Sequence, residues 1–335
     1  MAARRYRGSA VGQGPGRTAV FGRAWLVLAV SAPVSPLGEG GPILVIGVNG
    51  QLAQSLAARG GPRIVTIGRP EADLDRPEGL AAVFDKVRPV AVVNAAAWTA
   101  VDLAETETEG AARANHHGPA ELARLCARDG IPFIHVSTDY VFDGDKGEPY
   151  LESDPTCPTG VYGRTKAEGE QAVLAAHPDS IILRTAWVYS ASGKNFVRTM
   201  LNAGAKNPTL RVVGDQRGNP TSSDDLADAI AAIIALIERD GLRPHYGGIY
   251  HAVGTGETTW HGLAVAALEQ AATHGRPMPE VIAIRTEDWP TPAKRPADSR
   301  LDTTKLATVF GVRLPPWRDS LRHTVDRLLT ETAGS

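Results

Sequence analysis

Cysteine is nearly absent from this sequence: 335 residues hold two, Cys126 and Cys157, at a spacing that matches no metal-ligand or redox motif. Unpaired thiols in a reducing, cytoplasmic setting are the expectation, with a disulfide between the two as the alternative. An excess of either charge is missing as well. The 35 Lys and Arg stand against 37 Asp and Glu, a net charge of -2, so nothing in the balance attracts nucleic acid or an anionic membrane surface. No stretch approaches the roughly 18 apolar residues that a membrane-spanning helix needs.

Acid is also lacking at the start. No Asp or Glu precedes Glu39, while Arg4, Arg5, Arg7, Arg17 and Arg23 stand among many Gly and Ser. Arg23, the apolar residues 24–30 and then Ser31-Ala32 resemble a signal peptide with a short core. A disordered, non-catalytic extension over residues 1–40 fits the composition better, because Gly, Pro and Ser there bury too little surface to offset chain entropy. The fold is expected to begin near Pro42.

From Ile43 onward short apolar runs alternate with helical stretches, the pattern of βαβ units feeding a parallel sheet. Strands are expected at residues 43–46, 63–67, 91–94, 133–137 and 180–184, and helices near 51–59, 77–88, 106–129 and 162–177. Strands this apolar are covered on both faces, and right-handed crossovers then give an α/β, Rossmann-like, doubly wound parallel sheet. After about Ser190 the regularity loosens, with Pro208, Gly214, Gly218, Pro220, Gly247 and Gly248 as punctuation and helices expected at 224–238, 259–273 and 317–330. The chain exceeds the length of one typical domain. Residues 41–190 therefore read as an NAD(P)-binding domain and 191–330 as a smaller, predominantly substrate-binding C-terminal lobe, some of whose segments return to the core.

The first strand runs directly into Gly47-Val48-Asn49-Gly50-Gln51-Leu52-Ala53, a G-x-x-G-x-x-A turn opening a helix. Gly47 permits the turn, Gly50 lets backbone N–H groups approach a pyrophosphate, and Ala53 allows close strand–helix packing. At the end of the second strand stands Arg69 where an acid would select NADH. A cation there accommodates a ribose 2′-phosphate, so NADPH is expected over NADH, although Arg69 also fits a solvated loop charge. Asp73 and Leu74 follow where an adenine edge would lie, and Asn94 to Ala97 end the next strand with small residues.

The reacting centre is read from Thr138, Tyr162 and Lys166. Tyr and Lys four apart share one helix face. Reduction of a carbonyl needs a proton at oxygen as hydride reaches carbon, and a free phenol, near pKa 10, is too weak an acid at neutral pH. An adjacent ammonium stabilises the phenolate. Thr138, at a strand end, is placed to hold the carbonyl oxygen toward the Tyr. Alone, such a pair is an ordinary helix surface; the upstream Gly turn and strand-end Thr make it a ketoreductase centre.

Five further stretches are more specific: VNAAAWTAVD at 93–102, STDYVF at 137–142, RTAWVY at 184–189, DQRGNPT at 215–221 and RPADSRL at 295–301. With them the chain resembles the extended short-chain dehydrogenase/reductases, and within them the dTDP-4-dehydrorhamnose reductase family, over about residues 43–317. The resemblance implies reduction of the C4 keto group of a dTDP-linked 4-keto-6-deoxy sugar, with Tyr162 as proton donor. It implies that Gly50, Gln51, Leu52, Asp73, Leu74, Ala97 and Thr99 line the cofactor, to which the reading of the residues above adds Gly47, Asn49, Ala95, Ala96, Arg69, Tyr162 and Lys166. It further implies that Val101, Thr138, Asp139, Tyr140 and Trp187 contact the sugar, and that Arg295 meets the diphosphate. Trp187 also reads as core packing, and Arg295 as a solvated loop residue. Some members are dimers bridged by Mg2+ through glutamates, one of them on the first helix. Ser55 occupies that position here, so no metal is expected, while a homodimer stays open. The rivals are a reductase of another nucleotide-linked 4-keto-6-deoxy sugar and a non-catalytic dinucleotide-binding subunit.

Overall fold

Six runs rich in Ile and Val form the centre of the molecule in the computed structural model, which describes residues 28–29, 37 and 39–331. They are β1 (Ile43–Ile46), β2 (Ile64–Ile67), β3 (Ala91–Asn94), β4 (Phe133–Thr138), β5 (Ile181–Thr185) and, farther along the chain, Gly248–His251. With β6 (Thr209–Val213), β7 (Gly248–His251) and β8 (Glu280–Ile284) numbered in chain order, the sheet runs β2-β1-β3-β4-β5-β7, every pair parallel. Order reverses between β1 and β3, so the crevice beyond their carboxyl ends is where such a sheet takes a ligand.

Each strand residue feeds one of two cores. Ile43 and Val45 point to one face with Val93, Ile134 and Leu183, where α1 (Gln51–Arg59) packs on the 223–240 helix. Leu44 and Ile46 point to the other with Val92, Phe133 and Ile182, under α2 (Leu80–Val87), α3 (Gly118–Asp129) and α4 (Val161–Ala176). All four β1 side chains have no exposed surface. Burial of that kind stabilises by about 1.5–3 kcal/mol per large apolar side chain, and it is why the strands read as continuous apolar runs.

The helix expected at 106–129 is divided. Thr108–Ala112 is α-helical, Arg113–His117 is a π turn, and α3 follows. The cause is Asn115, whose Oδ1 accepts from the Trp98 N–H at 2.8 Å and whose Nδ2 donates to the Trp98 carbonyl and Thr165 Oγ1, both at 3.2 Å. A widened turn at a functional wall is a familiar device.

The second lobe holds α5 (Phe196–Gly204), α7 (Trp260–Ala272), α8 (Trp317–Glu331) and the two-stranded parallel sheet of β6 and β8, whereas α6 (Ser223–Asp240) returns to cover α1. Upstream of Pro42, Leu37 is buried in the first core and Leu28–Ala29 pairs with Val312–Arg313. Residues 1–27, 30–36 and 38 of that segment lie outside those described.

Candidate active site

One cleft opens beyond the carboxyl ends of β1, β3, β4 and β5. It encloses about 1330 Å³, part of it open solvent, and is lined from the nucleotide half by Asn49, Gly50, Gln51, Leu52, Ala95, Ala96, Ala97 and Thr99. Val101, Thr138, Asp139, Tyr140, Tyr162, Lys166 and Trp187 line the rest. Residues read from five separate stretches of sequence thus meet in one space.

At the nucleotide end Gly47 has φ +121°, a conformation that excludes L side chains, and Gly50 caps α1 without a side-chain cap. No acidic residue stands in the first turn of α1, so its free N–H groups remain open to an anion. Gln51 Oε1 and Thr185 Oγ1 are buried polar atoms of the cleft wall with no partner. A donor set of backbone N–H groups and unspent polar atoms in a slot floored by alanines fits a dinucleotide.

Five expected residues do not line the cleft. Gly47 is the turn beneath it. Arg69 is exposed at the end of β2, next to Gly68, which packs on Val48 of the turn. Asp73 is half-buried and accepts from the Asp75 N–H at 3.1 Å, and Leu74 is 5% exposed within the second core. Its neighbour Gly118 has no room for a Cβ. Arg295 is paired on one side only: its Nη2 donates to Asp102 at 2.9 Å, its guanidinium lies 5.9 Å from the Tyr140 ring centre, and its Nη1 is buried without a partner. Ser55 donates to Asp224 at 2.6 Å and lies 2.7 Å from the Ser223 hydroxyl.

On the opposite side of the cleft Lys166, Thr138 and Asp139 are buried and Tyr162 is half-buried. Lys166 is 1% exposed, donating from Nζ to the Val136 carbonyl at 2.7 Å, with His135 Nε2 3.3 Å away. Burial lowers its pKa from 10.5 to about 8, against the nearby Glu170 carboxylate. Tyr162 goes the other way. Burial raises its pKa from 10.0 to about 12, opposed by the Thr138 hydroxyl and assisted by the Asp139 charge. Thr138 Oγ1 donates to Asp139 Oδ1 at 3.0 Å and accepts from the Tyr140 N–H at 3.2 Å, while Asp139 Oδ2 accepts from Ser299 Oγ at 2.6 Å. Asp139 is buried and its pKa is raised to about 6. Ser299 belongs to RPADSRL, which is laced to DQRGNPT: Arg217 N–H donates to the Ala297 carbonyl at 2.8 Å and Leu301 N–H to Asn219 Oδ1 at 2.9 Å. Those two motifs frame the site from the second lobe.

Trp187 stands at φ +48°, a strained backbone for an aromatic residue. Its ring lies 3.7 Å from that of Trp260 at 9° between planes, and a Cβ on Gly218 would collide with it. Trp260 Nε1 donates to Gln216 Oε1 at 3.1 Å. Sequence reasoning missed Trp260, which lines the cleft from a helix to which no site residue was assigned. It also missed Val136, Ser137, Thr185, Ala186, Val188, Gly193, Lys194 and Leu226. Ser137, Thr185, Ala186 and Val188 were signalled by the motifs that contain them. The 193–194 loop carried no signal.

The family model described as RmlD substrate binding domain matches residues 41–330. The chain belongs to that family. Among its relatives is the dTDP-4-dehydrorhamnose reductase of Sinorhizobium fredii, 45% identical over 293 residues, or 86% of this chain and 98% of the relative. Another is the "Probable dTDP-4,6-dihydroxy-2-methyloxan-3-one 4-ketoreductase" of Streptomyces antibioticus, 40% identical across 85% of this chain and 95% of the relative. The solved Bacillus anthracis dTDP-4-dehydrorhamnose reductase in complex with NADP superposes with a TM-score of 0.78 at 30% identity, covering 85% of this chain and 99% of that one.

Trp260→Ala should remove the support under Trp187. The stack is worth about 0.5–1.5 kcal/mol, so KM for the sugar substrate should rise roughly two- to tenfold with NADPH affinity unchanged. Steady-state kinetics beside a cofactor titration checks both.

Proposed function

We propose that this chain reduces the C4 keto group of dTDP-4-dehydro-β-L-rhamnose with NADPH, giving dTDP-L-rhamnose. The observation that carries the reading is the convergence of Thr138, Tyr162 and Lys166 in one cleft with the open Gly50 terminus of α1. Family membership and the NADP-bound relative support it. When bound, NADPH supplies a hydride for the C4 carbon. Tyr162 gives its proton to the carbonyl oxygen, so the ketone becomes a secondary alcohol and the phenol a phenolate. Lys166, as an ammonium, stabilises that phenolate and lowers the cost of the proton transfer. Thr138 orients the oxygen, Asp139 accepts from a sugar hydroxyl, and the Trp187 face packs on the apolar side of a 6-deoxy sugar. Arg69, exposed just beyond the end of β2, is the residue offered to a 2′-phosphate.

A second reading has one observation in its favour: the Streptomyces antibioticus relative bears the name of a different 4-ketoreductase at nearly the same identity. The sugar is therefore decided by assay. A non-catalytic role fits less well, because Thr138, Tyr162 and Lys166 are all intact. Unpaired Cys126 and Cys157 accord with a cytoplasmic setting, and among the described residues no helix is long and apolar enough to cross a membrane.

Purified protein given dTDP-4-dehydrorhamnose should consume NADPH; no consumption, with turnover of another dTDP-4-keto sugar, would move the assignment to that sugar. Tyr162→Phe should lower kcat by about 10²–10⁴-fold while still binding NADPH, and an unchanged rate would refute the mechanism. Arg69→Ala should shrink the NADPH to NADH ratio of kcat/KM roughly tenfold, the loss of one charge-assisted contact; a ratio that does not move removes the 2′-phosphate argument.

A further inference from the structure

Tyr162, Lys166 and Glu170 recur at every fourth position of α4 and share one face of it. The first two line the cleft; Glu170, one turn farther along, is 2% exposed. A carboxylate at that depth requires partners. Its Oε1 accepts from Ser137 Oγ at 2.5 Å and from Arg184 Nε at 2.9 Å, and its Oε2 accepts from Arg184 Nη2 at 2.7 Å. Arg184 is also 2% exposed, its guanidinium 4.9 Å from the Phe142 ring centre, with Nη1 unpartnered.

Lys166 faces His135 and the Val136 carbonyl from β4, with Tyr162 and Glu170 one turn away to either side on its own helix. His135 is fully buried and its pKa is pushed well below the ordinary range, so it is neutral and cannot balance an ammonium. Burial drives Lys166 toward the neutral amine, and the carboxylate of Glu170 is the charge that opposes this. Arg184, on β5, reaches the group through Glu170. Because Ser137 directly precedes Thr138, the same carboxylate ties the end of β4 to α4.

Resting on the reading of Tyr162 and Lys166 as the reacting pair, we propose that Glu170 is a positioning residue of the reductase: its carboxylate keeps Lys166 protonated, and its bond to Ser137 holds Thr138 against the helix that carries Tyr162. The sign follows. Lys166 stabilises a phenolate only as an ammonium, so the activity that depends on it is present below its pKa and lost as pH rises through it. Removing the negative charge of Glu170 lowers that pKa and brings the loss to lower pH.

Glu170→Gln keeps the size of the side chain and removes its charge. The descending alkaline limb of kcat/KM against pH should move down by about one unit, an approximately tenfold change on that limb. NADPH binding, followed by tryptophan fluorescence, should stay near the wild-type value at neutral pH. A limb that does not move overturns the proposal even if kcat or Tm falls, since a purely structural role would produce those losses alone. Where Glu170→Gln fails to fold because Arg184 is left bare, Glu170→Gln with Arg184→Met removes both charges; the same downward shift is expected, and an unmoved limb again refutes it. Tyr162→Phe in parallel separates the two layers. Retained turnover there sinks the reacting pair and this proposal together, whereas a dead Tyr162→Phe beside an unmoved Glu170→Gln limb sinks the proposal alone.

Discussion

The site depends on an amine held inside the protein. Lys166 has almost no contact with water, one backbone carbonyl as acceptor, and a neutral imidazole as neighbour. In that environment its charge is weakly held, and under the proposed mechanism it would respond to a phenolate forming one helical turn away. Water would screen the same pair on a helix surface. The sheet therefore matters to the chemistry: the end of β4 supplies the carbonyl of Val136, the Ser137 hydroxyl and Thr138, and α4 supplies Tyr162, Lys166 and Glu170. Gly163 permits this proximity, because a Cβ there would collide with the Tyr140 carbonyl.

The second lobe closes around the same point. Ser299 fixes Asp139, Asn219 and Arg217 hold the 295–301 segment, and Arg300 is bound by Asp298 and Glu257. Trp187 is forced into a left-handed backbone conformation and stabilised by Trp260 and the bare surface of Gly218. These contacts join three segments distant in sequence into one wall. Motifs that carry no acid–base chemistry have their place here as the frame that sets the shape presented to a sugar.

The core strands and α1 were legible because burial on both faces leaves a continuous apolar run, and the runs at 43–46 and 91–94 match the observed strands to the residue. The edge strand Gly248–His251 was not, since Gly247 and Gly248 read as loop punctuation while its pairing with β5 is tertiary. The π turn at Arg113–His117 was equally hidden, because its cause is a side chain bonding backbone at Trp98. Within the site, spacing on one helix and strand-end position pointed to Tyr162, Lys166 and Thr138, which line one cleft. Arg295 shows the limit of that method: a free guanidinium and one paired with Asp102 look alike in sequence. Trp260 shows another, because an indole stacked behind a ligand platform has the same local pattern as a core residue.

The protonation of Lys166 tests this account most directly. An NMR titration of the protein with isotope-labelled lysine, its Lys166 resonance assigned with Lys166→Met, should show a midpoint near 8, well below the ordinary 10.5. A midpoint at the ordinary value would mean that the amine is solvated, and would contradict the buried Tyr162–Lys166 centre on which the rest of the reading stands.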